Sequence, residues 1–368
     1  MRINTEDAIT ATQYEYFTPC AQGLEAVVAG ELKALGAERV RPLQAGVAFF
    51  GPLKTGYRAC LWLRSASRVL LVLSRVEATD ADCLYESVKA LPWEQHLDPS
   101  RTIAIHARGT NEKLGDTRFI ALKVKDALCD RLRELTGRRP SVQKDRPDVK
   151  LDVSLRSNRA TVSLDLSGEP LHMRKYRVPD YRIVAPLRET LAAFMCIKAG
   201  WDAPFHENFS KVLLDPLCGS GTIALEAALI ALDRAPGLLR DYWGFTGWLA
   251  HEEELWQETL REAQSRAAVA LQSFVVSGSK PLIHASDSDE ASVQIARESA
   301  RLAGVEKIID FEVADIATIA PSVDKTGTGE RLVITNPPYG HRLSSESKLP
   351  ALYSALQSLN DPSASPAP

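Results

Sequence analysis

Apolar and polar positions change rhythm along this 368-residue chain. Leu24, Val27, Val28, Leu32 and Leu35 recur near helical spacing, and Gly36 is a natural C-cap. The stretch AGVAFFG (45–51) predicts a short strand between glycines, so residues 14–54 read as a small α/β unit. A helix-like run, GYRACLWLRSAS (56–67), then precedes an apolar strand, RVLLVLSRV (68–76). Alternation continues with a helix at CLYESVKALPW (83–93), a strand at TIAIHARG (102–109), and a long amphipathic helix from Arg118 that ends at Gly137. Residues 149–168 predict a hairpin turning at Ser157-Asn158. Residues 169–182, EPLHMRKYRVPDYR, are polar and read as a linker, and PLRETLAAFMCIKAG (186–200) as a helix.

From Lys211 the rhythm becomes strand, glycine turn, helix. KVLLDPLCGSGTIALEAALIALD sets that order and PLIHASDSDEASVQIARESARLAG repeats it. IDFEVAD and RLVITNPPYG predict two more strands. Such a series predicts a doubly wound parallel sheet, with ligands at the carboxyl ends of its strands. Between Ala235 and Gln257 an insert carries Trp243, Phe245, Trp248 and Trp256, which predicts a lid or, more simply, a packing element.

The length implies two or three domains. Apolar residues at 45% and charged residues at 25% allow each an ordinary core. No apolar run approaches the length of a membrane span, and the N-terminus lacks the pattern of a secretory signal. The six cysteines show no CxxC spacing, so neither a zinc site nor a redox motif is expected, and reduced thiols in the cytoplasm are. The net charge of -3 hides an asymmetry. Residues 101–150 hold 13 Lys and Arg against 7 Asp and Glu, which leaves the rest acidic. A local excess of this kind is a candidate polyanion surface or a solvated mixed-charge face.

Four strand ends carry the candidate chemistry. In LLDPLCGSGT, Asp215 ends a strand, and Gly219 and Gly221 permit a tight turn and close approach of a ligand. The loop lacks the Gly-Lys-Ser/Thr of a phosphate-binding loop and the third glycine of the dinucleotide fingerprint, so it is also compatible with a plain turn. Asp287, after the next strand, stands where a carboxylate accepts ribose hydroxyls. Asp289 and Glu290 fit the first turn of a helix. Asp315, after the third strand, is a candidate acceptor for an adenine amino group or a surface acid. The fourth strand runs into Asn336-Pro337-Pro338-Tyr339. An amine conjugated to a ring or carbonyl is a poor nucleophile. The Asn336 side-chain carbonyl and the Pro337 backbone carbonyl can hold its lone pair out of conjugation. The prolines fix the loop, and Tyr339 can stack on a planar base.

Taken in this order, DPLCGSGT, Asp287, Asp315 and NPPY resemble a class I S-adenosylmethionine-dependent methyltransferase of exocyclic or amide nitrogen. LDLSGEPLHMRKYR, APLRETLAA, DRAPGLLRDYWGFTGW and NPPYGHRL resemble, more narrowly, the RlmL family of bacterial THUMP-domain 23S ribosomal RNA guanine-N2 methyltransferases. The resemblance implies an α/β chain: a ferredoxin-like segment (14–54) and a THUMP α+β RNA-binding domain (55–168), then the linker (169–182). A Rossmann-like methyltransferase domain (183–360) and a disordered tail (361–368) would follow. It implies S-adenosylmethionine as cofactor, bound by Asp215, Gly219, Gly221, Asp287 and Asp315, with Thr190 and Glu189 nearby. Asn336, Pro337 and Tyr339 would hold a flipped or unpaired guanine. Lys123, Lys125, Arg138, Arg139, Lys144 and Arg146 are the candidate phosphate contacts. The implied partner is 23S ribosomal RNA, free or in an assembly intermediate, with no metal and no membrane.

The residues leave three readings: guanine-N2 transfer; transfer to adenine N6, to guanine in tRNA or to a protein glutamine amide; and RNA binding with an inactive catalytic half. The last arises because class I sheets have seven strands. After NPPY the sequence offers one helix, SKLPALYSALQSL, and a Pro/Ser/Ala-rich end, so the sheet is expected to be incomplete and the chain either a fragment or a prematurely ended reading frame.

Overall fold

The computed structural model describes residues 12–178, 186–205, 209–316, 330–337 and 349–360. The expected positions of Pro338, Tyr339, the end of the linker and the tail at 361–368 lie outside them. The chain divides into two compact units. One comprises the residues up to Leu171 together with Arg240–Leu260, and the other His172–Leu239 with the residues from Arg261.

In the first unit eight strands form one sheet. They are β1 (Tyr14–Pro19), β2 (Glu38–Leu43), β3 (Gly46–Gly51), β4 (Leu70–Glu77), β5 (Thr102–Arg108), β6 (Ser141–Val142), β7 (Val149–Arg156) and β8 (Arg159–Asp165), in the spatial order 2-3-1-4-8-7-5-6. Helices α1 (Glu25–Ala34), α2 (Leu53–Trp62), α3 (Ala81–Lys89) and α4 (Thr117–Thr136) connect them. The hairpin turns as expected, with Ser157 at φ 53° between β7 and β8. The expected border between residues 54 and 55 is not a break in the sheet. β4 pairs with β1 through Tyr16–Leu71 on one side and with β8 through Leu70–Asp165 on the other. Each piece alone would leave that strand's ladder half unpaired, and pairing both sides removes two edges at once.

The aromatic insert belongs to this unit. Trp243, Phe245, Trp248 and Trp256 are all buried, which bears out packing. Arg240 fixes the insert by donating to the carbonyls of Ser167 (2.7 Å), Pro170 (2.8 Å) and Glu169 (3.0 Å). Gly244 admits no side chain, because a Cβ there would stand 2.2 Å from the carbonyl oxygen of Asp165.

In the second unit β9 (Lys211–Asp215), β10 (Ile283–Asp287), β11 (Ile309–Val313) and β12 (Glu330–Val333) form a parallel sheet in the order 11-10-9-12. Its helices are α5 (Glu189–Lys198), α6 (Thr222–Ala231), α8 (Glu290–Ala303) and α9 (Leu349–Asn360); α7 (Glu253–Val276) precedes β10. Successive residues of β9 point to opposite faces. Leu213 joins a core with residues of α5, α6 and α8, whereas Leu214 packs with Ile316 and Leu359 of α9. Both faces of this sheet are therefore covered, as a parallel sheet requires. Among the described residues β12 pairs only with β9.

The expected linker is partly core. Arg174 and Tyr176 are each 2% exposed, and both reach Glu226, the one charged residue of the wholly buried helix α6. Tyr176 donates its hydroxyl to Glu226 at 2.8 Å and Arg174 its Nε–H at 3.4 Å. The polarity that marked this segment as a linker is the polarity of a buried network, since a charge inside an apolar helix needs partners.

Candidate functional site

β9 ends at Asp215, and its carboxyl group is 1% exposed. Oδ1 accepts from the Thr335 hydroxyl at 2.8 Å. Oδ2 is sealed from solvent and has no hydrogen-bond partner among the described residues. Burial pushes this carboxyl up to about 7; the hydrogen bonds from Thr335 and the Leu217 backbone pull it down, and the charge of Asp287 pushes it up. A buried acceptor with a free oxygen is a natural seat for a cation or a donor.

The glycine loop between β9 and α6 is held to the neighbouring strand. The Cys218 N–H donates to the Ser286 carbonyl at 2.8 Å, and the Gly219 N–H to Asp287 Oδ2 at 2.9 Å. Gly221 has φ +77°, and a Cβ there would meet Ala296 of α8 at 2.8 Å, so glycine is required on both counts. Asp287 ends β10 and also accepts from the Asp289 N–H at 3.0 Å. Two accepted bonds leave a carboxylate further lone pairs for a ligand. Asp289 caps α8 through the Ser292 N–H at 3.1 Å, one place before the first turn expected for it, where Glu290 stands.

β12 runs beside β9, and the Ile334 N–H extends the pairing to the Leu214 carbonyl at 2.9 Å. The chain then turns through Thr335 into Asn336 and Pro337. These two line one cavity of ≈ 390 Å³ with Asp215, Cys218, Gly219 and Asp287. Pro186 and Leu187, just before α5, and Leu352 of α9 complete other parts of its wall. The volume suits a small organic ligand.

Not every expected residue meets there. Asp315 stands exposed two residues beyond β11 and does not line the cavity. Thr190 is buried in α5 away from the lining, and Glu189 binds Arg177 at 2.8 Å. Tyr339 lies outside the described residues. Thr335 and Arg177 were not foreseen; Thr335 is the residue between the apolar run and Asn336, and its hydroxyl was the available signal.

In the first unit Arg138, Arg139 and Lys144 are exposed around the α4–β6 connection. Lys123 is half-buried, with Nζ 5.8 Å from the ring centres of both Tyr85 and Phe119. Lys125 pairs with Asp126 at 2.6 Å. Arg146 is exposed, and its fork also grips Asp241 of the insert at 2.7 and 2.9 Å. Among the described residues no helix is long and apolar enough to cross a membrane, and no cluster of three or more His, Cys, Asp or Glu is arranged to hold a metal.

A Rossmann-like sheet with a glycine loop at one strand end and Asn-Pro at the next defines a class of α/β transferases. Comparison with known proteins gives the family. Residues 174–362 match the RMKL-like methyltransferase domain, 78–165 the THUMP domain and 15–70 the RlmL ferredoxin-like domain. The chain belongs to the RMKL-like methyltransferase family. It is 44% identical over 342 residues to ribosomal RNA large subunit methyltransferase K/L of Syntrophotalea carbinolica, a match that covers 93% of this chain and 46% of the relative. The chain thus spans about half the length of that curated relative. Among solved structures, a chain of Clostridium difficile 630 described as a possible methylase is 31% identical, with a TM-score of 0.79 over 94% of this chain and 85% of its own. SMU.472, solved in complex with SAH, is 28% identical, with a TM-score of 0.77 over 94% of this chain and 86% of its own.

Proposed function

We propose that this chain binds S-adenosylmethionine in the cavity beside Gly219 and methylates the exocyclic N2 amine of a guanine in large-subunit ribosomal RNA. The carrying observation is that the ends of β9 and β12 share one cavity, with Asp215 and Asn336 both in its wall. S-adenosylmethionine supplies an electrophilic methyl group on a sulfonium sulfur. The residues fit such a ligand. Asp215 stands in the cavity wall, where its charge suits the cationic methionine end, and the remaining lone pairs of Asp287 suit ribose hydroxyls. Support also comes from SMU.472, a relative solved with SAH. We assign neither Asp315 nor Thr190 a direct contact.

Toward the nucleobase, the Asn336 side-chain carbonyl and the Pro337 carbonyl accept the two amino hydrogens and keep the nitrogen lone pair available. Tyr339 is assigned to stack on the base. The proton departs after alkylation, so the residues need supply no strong base. Arg138, Arg139, Lys144, Lys123 and Lys125 are assigned to the RNA backbone in the THUMP-containing unit. Ribosomal RNA is favoured by the name of the K/L relative, and guanine is the base that the resemblance to the RlmL family implies. Such a substrate places the protein in the cytoplasm.

The test is transfer of labelled methyl from S-adenosylmethionine to unmodified 23S RNA, with tRNA as control and nucleoside analysis of the product. N2-methylguanosine from 23S RNA is expected. Label on adenine alone, or on tRNA in preference, overturns the assignment.

A further inference from the structure

One guanidinium makes five hydrogen-bond contacts to oxygens of two chain segments, 187–189 and 220–222, each of which contributes residues to the cavity wall. Arg177 donates from Nε and Nη2 to Glu189 Oε1 at 3.0 and 2.8 Å. Nη2 also reaches the Leu187 carbonyl and Thr222 Oγ1, both at 3.2 Å, and Nη1 reaches Ser220 Oγ at 3.3 Å. Leu187, Ser220 and Thr222 all line the cavity, whereas Arg177 does not.

We propose that Arg177 is a positioning residue for the cofactor, which locks the glycine loop to the entry of α5 and so presets the width of the cavity. This inference rests on the reading of that cavity as the S-adenosylmethionine site.

Three observations argue for positioning over a simple ion pair. First, a pair with Glu189 uses only part of the fork. The other contacts go to two hydroxyls and a carbonyl, and each belongs to a lining residue. Second, the opposite side of the glycine loop is bonded to β10 through Cys218 and Gly219, so a tie at Ser220 and Thr222 removes the freedom that remains. Third, the backbone that carries Arg177 is itself anchored. Tyr176, its neighbour, is bonded to Glu226 inside α6, and Arg174 reaches the same carboxylate. A planar fork on a fixed strap sets distances between segments, which a flexible ammonium cannot.

The test uses the full chain and calorimetric titration with S-adenosylhomocysteine, followed by steady-state methylation. Arg177→Lys keeps the charge and loses the fork. It is expected to weaken S-adenosylhomocysteine binding by about tenfold and to raise the KM for S-adenosylmethionine by a similar factor, with kcat at saturation nearly unchanged. Ser220→Ala/Thr222→Val removes the loop acceptors and leaves the Glu189 pair intact. Combining it with Arg177→Lys should add little, since the two changes break the same ties. Wild-type affinity in Arg177→Lys overturns the proposal, as do additive effects in the cycle. If Arg177→Lys proves poorly folded, the acceptor variant decides alone: unchanged affinity there overturns positioning, and weakened affinity supports it. Failure of the wild-type chain to bind S-adenosylhomocysteine would instead remove the underlying cofactor reading.

Discussion

Thr335 donates its hydroxyl to Asp215 Oδ1 at 2.8 Å, across 120 residues of sequence, and so fastens the strand end that carries Asn336 to the strand end that opens the glycine loop. A donor beside a buried carboxylate lowers the cost of ionising it. One bond therefore touches both halves of the proposed reaction: the place of the target amine and the charge that faces the cofactor. Thr335→Val keeps the shape and removes the donor. It should move the pH midpoint of S-adenosylmethionine binding upward and lower kcat, and Thr335→Ser should restore both. An unaltered midpoint in the valine variant would show that the bond does not tune Asp215.

Asp215→Asn separates stability from function. In the fold, burial pushes this carboxyl up to about 7, above its ordinary value of 3.8. Between those values the unfolded chain has released a proton that the folded chain retains, so stability falls as pH rises toward 7. The amide cannot ionise and escapes this penalty. The variant should therefore gain thermal stability relative to wild type, by a margin that widens from pH 4 to pH 7, and should bind S-adenosylmethionine poorly. Differential scanning calorimetry across that range reads the margin; one that shrinks with pH contradicts the assigned burial effect.

Binding of the cationic cofactor favours ionised Asp215. Titrations near pH 6.5 should release protons, visible as a dependence of the apparent enthalpy on the ionisation heat of the buffer. The release should vanish in Asp215→Asn and decline well above pH 7. Equal enthalpies in phosphate and imidazole buffers would contradict it.

Asn336→Ala tests the proposed amine site. Removing one preorganised acceptor should reduce methyl transfer by about 10²–10³-fold, by analogy with the loss of an oxyanion-hole donor. Cofactor affinity should stay close to wild type, because Asp215 and Asp287 are untouched. A rate within a factor of two of wild type would sink the role.

RNA binding should distinguish the open cations from the committed one. Replacing Arg138, Arg139 and Lys144 with Gln should weaken binding to 23S fragments and reduce the slope of log K against log salt by about 2–3. Arg146→Gln should leave that slope in place, because its fork already holds Asp241. The opposite ranking in filter-binding assays would reassign the surface.

Legibility followed the strength of local pattern. Leu213 and Leu214 ahead of Gly219 announced a strand and its loop from sequence alone, and Gly36 and Gly137 marked helix ends where both adopt positive φ. Strand β2, ERVRPL, was missed because five of its six residues are exposed and it carries no apolar alternation. Helix α7 was missed because its inward positions include Thr259, Ala263 and Ala267, small residues that weaken the hydrophobic stripe. At the site, Asp215, Asp287 and Asn336 were readable as strand-end residues. Thr335 was not, since its partner lies 120 residues away and only the folded sheet brings the ends of β9 and β12 together; nor was Arg177, whose fork meets Ser220 and Thr222 only in the fold. Arg146 illustrates the converse: a basic stretch counts charges, but it does not say which already has a carboxylate in its grip.

The aromatic insert also bears on how the chain matures. The first compact unit needs Arg240–Leu260, yet His172–Leu239 are synthesised in between. At roughly 5–20 residues per second, the ribosome takes several seconds to deliver that closing piece after Leu171. During that interval the nascent sheet lacks Trp243, Phe245 and Trp256, and the apolar surface those rings cover is open to chaperones. The order in which the segments emerge thus makes the N-terminal half dependent on its successor for completion, and a nascent chain stalled before Arg240 would hold an unfinished THUMP-containing unit.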